Sequence, residues 1–158
     1  MKKNLLSVTV LSLVAFVMIS CGTSSTTVNE TIVAKTDRTI DLMNQAFEAI
    51  NDDEYETALA TLDTLSPYVE ESKEIISKME NKSGEQFIQV AVEFLDLFPS
   101  GIADYKKAIE IFQTAENNTK MREAAKLVDD FMDKAGDKYD ELGKIQVEFA
   151  KANGMTLR

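Results

Sequence analysis

Three carboxylates at helical spacing, Asp129, Asp133 and Asp137, are the first group in this chain with the right chemistry for a site. With Asp130, Asp140 and Glu141 beside them they form an oxygen-rich ladder of the kind that hard cations prefer. Lys126, Lys134, Lys138 and Lys144 are interleaved with the ladder, however, and alternating charge along a helix is the pattern of a solvated face with local ion pairs. The spacing also lacks the glycine and the alternating oxygens of a calcium loop, so no metal ligands are assigned. A second acidic group, Asp52, Asp53, Glu54 and Glu56, follows Asn51. It offers either a helix cap or a face for a basic partner.

Much chemistry is excluded by what is missing. The chain has 158 residues and no histidine, which removes the commonest general base and metal ligand together with His-dependent triads and di-iron bundles. A net charge of −10 opposes nucleic-acid binding, which rewards clustered cations. One cysteine, Cys21, permits neither an internal disulfide nor a multi-thiolate zinc site. No spacing suggests a serine or threonine activated by lysine, so no catalytic residues are assigned and the chain is not read as an enzyme.

The first twenty residues read as an address. Lys2 and Lys3 precede Leu5 to Ile19, fifteen uncharged residues, and small polar residues follow. A basic start, a short apolar core and a small-residue exit are the physical pattern of a secretory signal peptide. The apolar run is shorter than the ~18–20 residues that span a bilayer. Its end, Met18-Ile19-Ser20-Cys21, resembles the lipobox of bacterial lipoprotein precursors, with Met18 where leucine is commoner. The resemblance implies cleavage between Ser20 and Cys21, a diacylglycerol thioether on the Cys21 sulfur and acylation of its new amino group. This covalent lipid is the only cofactor-like group expected. Gly22 after the cysteine, in place of aspartate, resembles lipoproteins sorted to the outer membrane and facing the periplasm.

Residues 21–30 are Ser/Thr-rich and read as the lipidated cysteine and a flexible tether, with a single helical domain over 31–158. There the apolar spacing is three and four. Ile40, Met43, Phe47 and Ile50 predict a first helix, and Asn51-Asp52-Asp53 a break and cap. Tyr55, Ala58, Leu59, Leu62 and Leu65 predict a second helix. Ser66-Pro67 has the chemistry of an N-cap and first helical residue, predicting a third helix to about Met79. Ser83 to Gln86 fits a capping box. Between Phe87 and Phe98 only Gln89, Glu93 and Asp96 are polar, which predicts a central helix with one wet stripe. Pro99-Ser100-Gly101 should end it, and Ile102 to Phe112 should form the next helix.

From Met121 to Ala152 apolar residues recur about every 3.4 positions and keep phase past Gly136, predicting one long helix ended by Asn153-Gly154. The expected fold is all-α, an antiparallel bundle with one long C-terminal helix. A second architecture fits the pattern as well. Tyr55-x-x-Ala58-x-x-x-Leu62 and Tyr105-x-x-Ala108-x-x-x-Phe112 share one spacing that resembles the second helix of a tetratricopeptide repeat, and this implies a short helical-hairpin array. Tyr68, Tyr105 and Phe98 suit either core filling or a small apolar pocket.

Charge is uneven: residues 37–81 carry twelve acidic and three basic side chains. Function is therefore expected to lie in binding, as a lipid-anchored helical accessory module of the cell envelope with another envelope protein as partner. The alternative is a carrier or sensor holding a small or lipidic ligand between helices.

Overall fold

A computed structural model describes residues 22–156. Those residues fold into α1 (Ser25–Asn51), α2 (Tyr55–Ser77), a 3-10 turn (Lys82–Gly84), α3 (Glu85–Leu95), α4 (Phe98–Thr114) and α5 (Asn118–Ala152). α3 and α4 follow one another across Asp96 and Leu97, both of helical backbone, and together count as one pillar, so the architecture is an antiparallel four-pillar bundle with a long C-terminal helix. Contacts at the two ends fix the directions. Tyr55, opening α2, stacks on Phe112 near the end of α4 with ring centroids 6.3 Å apart. At the opposite end Phe87, early in α3, meets Phe149, late in α5, at 5.3 Å. Each pillar buries one apolar stripe against its neighbours, as helices without a sheet must.

Helix α5 is continuous over 35 residues, about 52 Å at 1.5 Å per residue. Ala124, Val128, Phe131, Ala135, Leu142 and Phe149 are its buried face, while Gly136 lies in open space on the other side. Asn117 caps its start by accepting from the Lys120 amide, and Gly154, at φ 64°, gives the left-handed turn beyond its end. α3 is central as expected, touching α1, α2 and α5. Its polar stripe is used: Glu93 pairs with Lys138 of α5 at 2.6 Å, and Asp96 pairs with Lys73 of α2.

Five local expectations are corrected. α1 begins at Ser25, inside the stretch read as tether, because Ser24 accepts from the Thr27 amide and Val28 and Ile32 are fully buried. Pro67 does not open a third helix; α2 runs through it. Ala58, Leu62, Leu65, Val69, Ser72 and Ile76 keep one buried stripe across the site, and the ring points to solvent. That packing outweighs the hydrogen bond that proline removes. The capping box is not formed, since Asn81 accepts from the Gly84 amide and the 3-10 turn intervenes before α3. The break before α4 falls at Asp96-Leu97, so Pro99 sits in the first turn, where its missing N–H costs nothing, and Gly101 is inside the helix. After α1 the cap is also different: Asp53 takes φ 60°, and Glu54 makes no side-chain cap bond.

The buried face of α1 is rotated from the one its apolar residues suggest. Thr36 and Thr39 are buried, whereas Ile40 and Phe47 are only partly so. Each hydroxyl returns to a carbonyl of its own helix, Thr36 to Ile32 and Thr39 to Lys35, both at 2.8 Å. With their polar atoms satisfied, threonines pack as small branched residues. Of the aromatic trio, Phe98 and Tyr105 fill the core, and Tyr68 lies under the Lys35 ammonium at 4.8 Å.

Candidate functional site

Three places carry organised polar chemistry, and the first is the end of the bundle where the described chain begins. Asn81, in the link between α2 and α3, donates through Nδ2 to the Thr23 carbonyl at 2.7 Å and to Ser25 Oγ at 3.3 Å. Ser25 Oγ donates to Asn153 Oδ1 at 2.8 Å, tying the start of α1 to the end of α5. Ser83 Oγ stands 2.8 Å from Asn81 Oδ1 and 3.0 Å from Asn153 Oδ1, so its one proton serves either. Asn153 Nδ2 donates back to the Phe149 carbonyl at 2.8 Å. Gly22 packs on the Glu80 carbonyl so closely that any Cβ would overlap it. Four short polar side chains, Ser25, Asn81, Ser83 and Asn153, therefore join the start of α1 to both the α2–α3 link and the C-terminus. Cys21 and Ser20, the expected lipidation and cleavage residues, lie outside the described residues.

None of the clamp residues carries a local signal of this role. Asn153 reads as a helix stop, Ser83 as a cap and Ser25 as tether, and the bonds that join them across the fold reach 56 to 128 positions.

The second place is the seam between α1 and α5. α1 packs chiefly on α2, and α5 on α4 and α3, so side chains close the remaining gap. Gln146 donates to Asn29 Oδ1 at 3.1 Å, and the Tyr139 hydroxyl donates to Asp37 Oδ1 at 2.6 Å. Between these two bridges is a groove of about 220 Å³. Ile32, Val33, Thr36, Asp37, Phe87 and Leu142 are among the residues that line it.

Burial, then the Asp37 hydrogen bond and the charges of Asp37 and Asp41, push the Tyr139 phenol up to about 12. An unfolded tyrosine ionises near 10. Between pH 10 and 12 the unfolded chain therefore gives up a proton that the folded chain keeps, and stability falls as pH rises. Tyr139→Phe should flatten the decline in melting temperature across that window. The slope remaining would belong to Tyr105, whose phenol is likewise pushed up by burial and by Asp129, together with Tyr55, Lys73 and Lys138, raised chiefly by their hydrogen bonds to Asp53, Asp96 and Glu93. Parallel wild-type and variant curves would show that the Tyr139 phenol is not perturbed.

The third place is the α1–α2 turn at the far end. Asp52, Asp53, Glu54 and Glu56 are all exposed there, with Asp53 accepting from the Tyr55 hydroxyl at 2.8 Å. The structure brings the four together as a tip, as their adjacency in sequence requires. The Asp129, Asp133 and Asp137 ladder lies on the exposed face of α5, and nearby Lys138 is held by Glu93 and Glu141. Among the described residues no three His, Cys, Asp or Glu side chains are grouped to hold a metal ion, and no helix is long and apolar enough to cross a membrane. The chain matches no protein-family model, no curated protein and no solved structure.

Proposed function

We propose that the protein is a bacterial lipoprotein, anchored through Cys21 to the outer membrane, whose helical domain faces the periplasm and binds another envelope protein. The observation that carries the anchor is the Met18-Ile19-Ser20-Cys21 sequence behind a short apolar run. What supports binding as the task is the acidic tip. Residues 45–60 carry Glu48, Asp52, Asp53, Glu54 and Glu56 and no cation, on a turn with no packing duty for those side chains. Such a field attracts a basic surface and speeds encounter with it.

The test is a crosslinking pulldown from envelopes with the wild type and with the Asp52→Lys/Glu56→Lys double variant. The captured partner should be lost or reduced at least tenfold in the variant, and wild-type capture should weaken with salt, as screening of exposed charges demands. Salt-insensitive capture that survives both reversals would remove the tip from the account.

The groove favours a second reading, a carrier that holds a small amphipathic ligand at the α1–α5 seam. Gly143 lines the groove, and a Cβ there would meet no atom within 4 Å. Gly143→Leu should fill the space and abolish any ligand-induced rise in melting temperature, while the unliganded variant melts no lower than the wild type. A ligand shift that persists in Gly143→Leu would place the ligand elsewhere.

A further inference from the structure

The beginning of the domain has almost no free tether. Only Gly22, Thr23 and Ser24 separate Cys21 from the first residue of α1. Gly22 is seated on the Glu80 carbonyl, and the Thr23 carbonyl is held by Asn81. The covalent path from Cys21 to Thr23 spans at most about 7 Å. A group attached to Cys21 is therefore held next to the Asn81–Ser83–Asn153 cluster, which is one end of the bundle.

Charge separates the two ends in the same sense. Residues 77–86 balance Lys78 and Lys82 against Glu80 and Glu85, and residues 148–156 balance Lys151 against Glu148. The opposite end holds the five carboxylates of residues 45–60, and beside them, where α4 gives way to α5, Lys120 and Arg122 balance Glu116 and Glu123. α1 alone, 27 residues long, separates the ends by about 40 Å. An anionic lipid surface repels one end and tolerates the other, and its field fades within about a Debye length, roughly 8–10 Å.

We infer that the end of the bundle bearing Asn81, Ser83 and Asn153 is a membrane-abutting face, and that the domain stands on the bilayer in one orientation with its acidic tip outermost. This rests on the lipid-anchored reading of Cys21 and adds to it a surface and a posture. A flexible tether would let the domain roll and present any side to the lipid. A clamp of four polar side chains directly after the anchor does not.

The natural cysteine is consumed by the thioether in the processed lipoprotein, so a cysteine introduced elsewhere can be labelled alone. Lys82→Cys and Asp52→Cys, both at exposed positions, would each carry a fluorophore on the lipidated protein in vesicles of phosphatidylethanolamine and phosphatidylglycerol containing a short-range quencher lipid. The label at position 82 should be quenched several-fold more than the label at position 52. A flexible Gly-Ser segment of about a dozen residues between Cys21 and Gly22, reaching roughly 20 Å, should erase most of that contrast without affecting flotation. Equal quenching at the two positions in the uninserted protein, or a contrast unchanged by the insertion, would overturn the inference while leaving the anchor intact. Protein that fails to float with the vesicles at all would overturn the anchored reading and this posture with it.

Discussion

Phe131→Ala should destabilise the domain by about 3–5 kcal/mol, the range for removing a buried aromatic ring from a core that cannot close over the void. Phe131 is 5% exposed and packs on the first turns of α4. Its ring meets Phe98 edge-on at 5.5 Å and Tyr105 at 5.9 Å, and α4 approaches closely enough for Gly101 to lie directly beneath it. A Cβ at Gly101 would fall inside the van der Waals envelope of the ring. With Phe98 and Tyr105 on its other sides, the ring has nowhere to go. Gly101→Ala should therefore be destabilising by about 1–3 kcal/mol from overpacking, although alanine is the better helix former by about 1 kcal/mol.

The two changes should not add. Once the ring is gone, the new methyl occupies part of the void and the helix-propensity gain is recovered. The double variant should then be more stable than the sum of the singles predicts, by about 0.5–3 kcal/mol in a double-mutant cycle measured by urea unfolding. Additive singles would mean that ring and glycine do not share the space.

That glycine illustrates what a single sequence conceals. Residue 101 reads as part of a Pro-Ser-Gly stop because glycine and proline are local punctuation; in the structure its missing side chain is a packing device answered by a phenylalanine thirty positions on. Pro67 fails in the same way. Ser-Pro chemistry argues for a helix start, but the stripe from Ala58 to Ile76 holds its phase across it, and burial over six positions outweighs one lost hydrogen bond. Long periodicity is a better guide: the buried residues of α5 nearly repeat the apolar series that its spacing predicts. Met121 and Ala152, at its ends, are exposed. Thr36 and Thr39 were invisible as core residues because their type says polar while their hydrogen bonding says otherwise.

The sites divide along the same line. The acidic tip was legible because its members adjoin in sequence. The polar clamp and the Asp37–Tyr139 bridge were not, because each joins segments that only the fold brings together, and asparagine or serine carries no long-range signature. Sequence patterns report what a segment does to itself; they are silent about glycine, asparagine and tyrosine whose partners lie half a chain away.

Cys21→Ser should move the protein almost completely from the membrane fraction to the soluble one and abolish palmitate incorporation, without changing how the domain melts. The first half follows from chemistry. Thioether formation uses the thiolate, and a serine hydroxyl offers no comparable nucleophile. Each buried CH₂ contributes ~0.8 kcal/mol, so two or more acyl chains hold a protein essentially permanently, and their loss removes the whole of that attraction. The second half follows from the fold. Residue 21 precedes the Ser24 cap and lies seven positions before Val28, a fully buried side chain, so its substitution alters no side chain of the described core or clamp. The released domain should show the same far-UV helical signal and the same melting temperature as wild type solubilised in detergent. Palmitate label persisting in Cys21→Ser would refute the reading of residues 18–21. A soluble but unfolded Cys21→Ser product would instead show that the anchor also supports the fold, against a cap that begins only at Ser24.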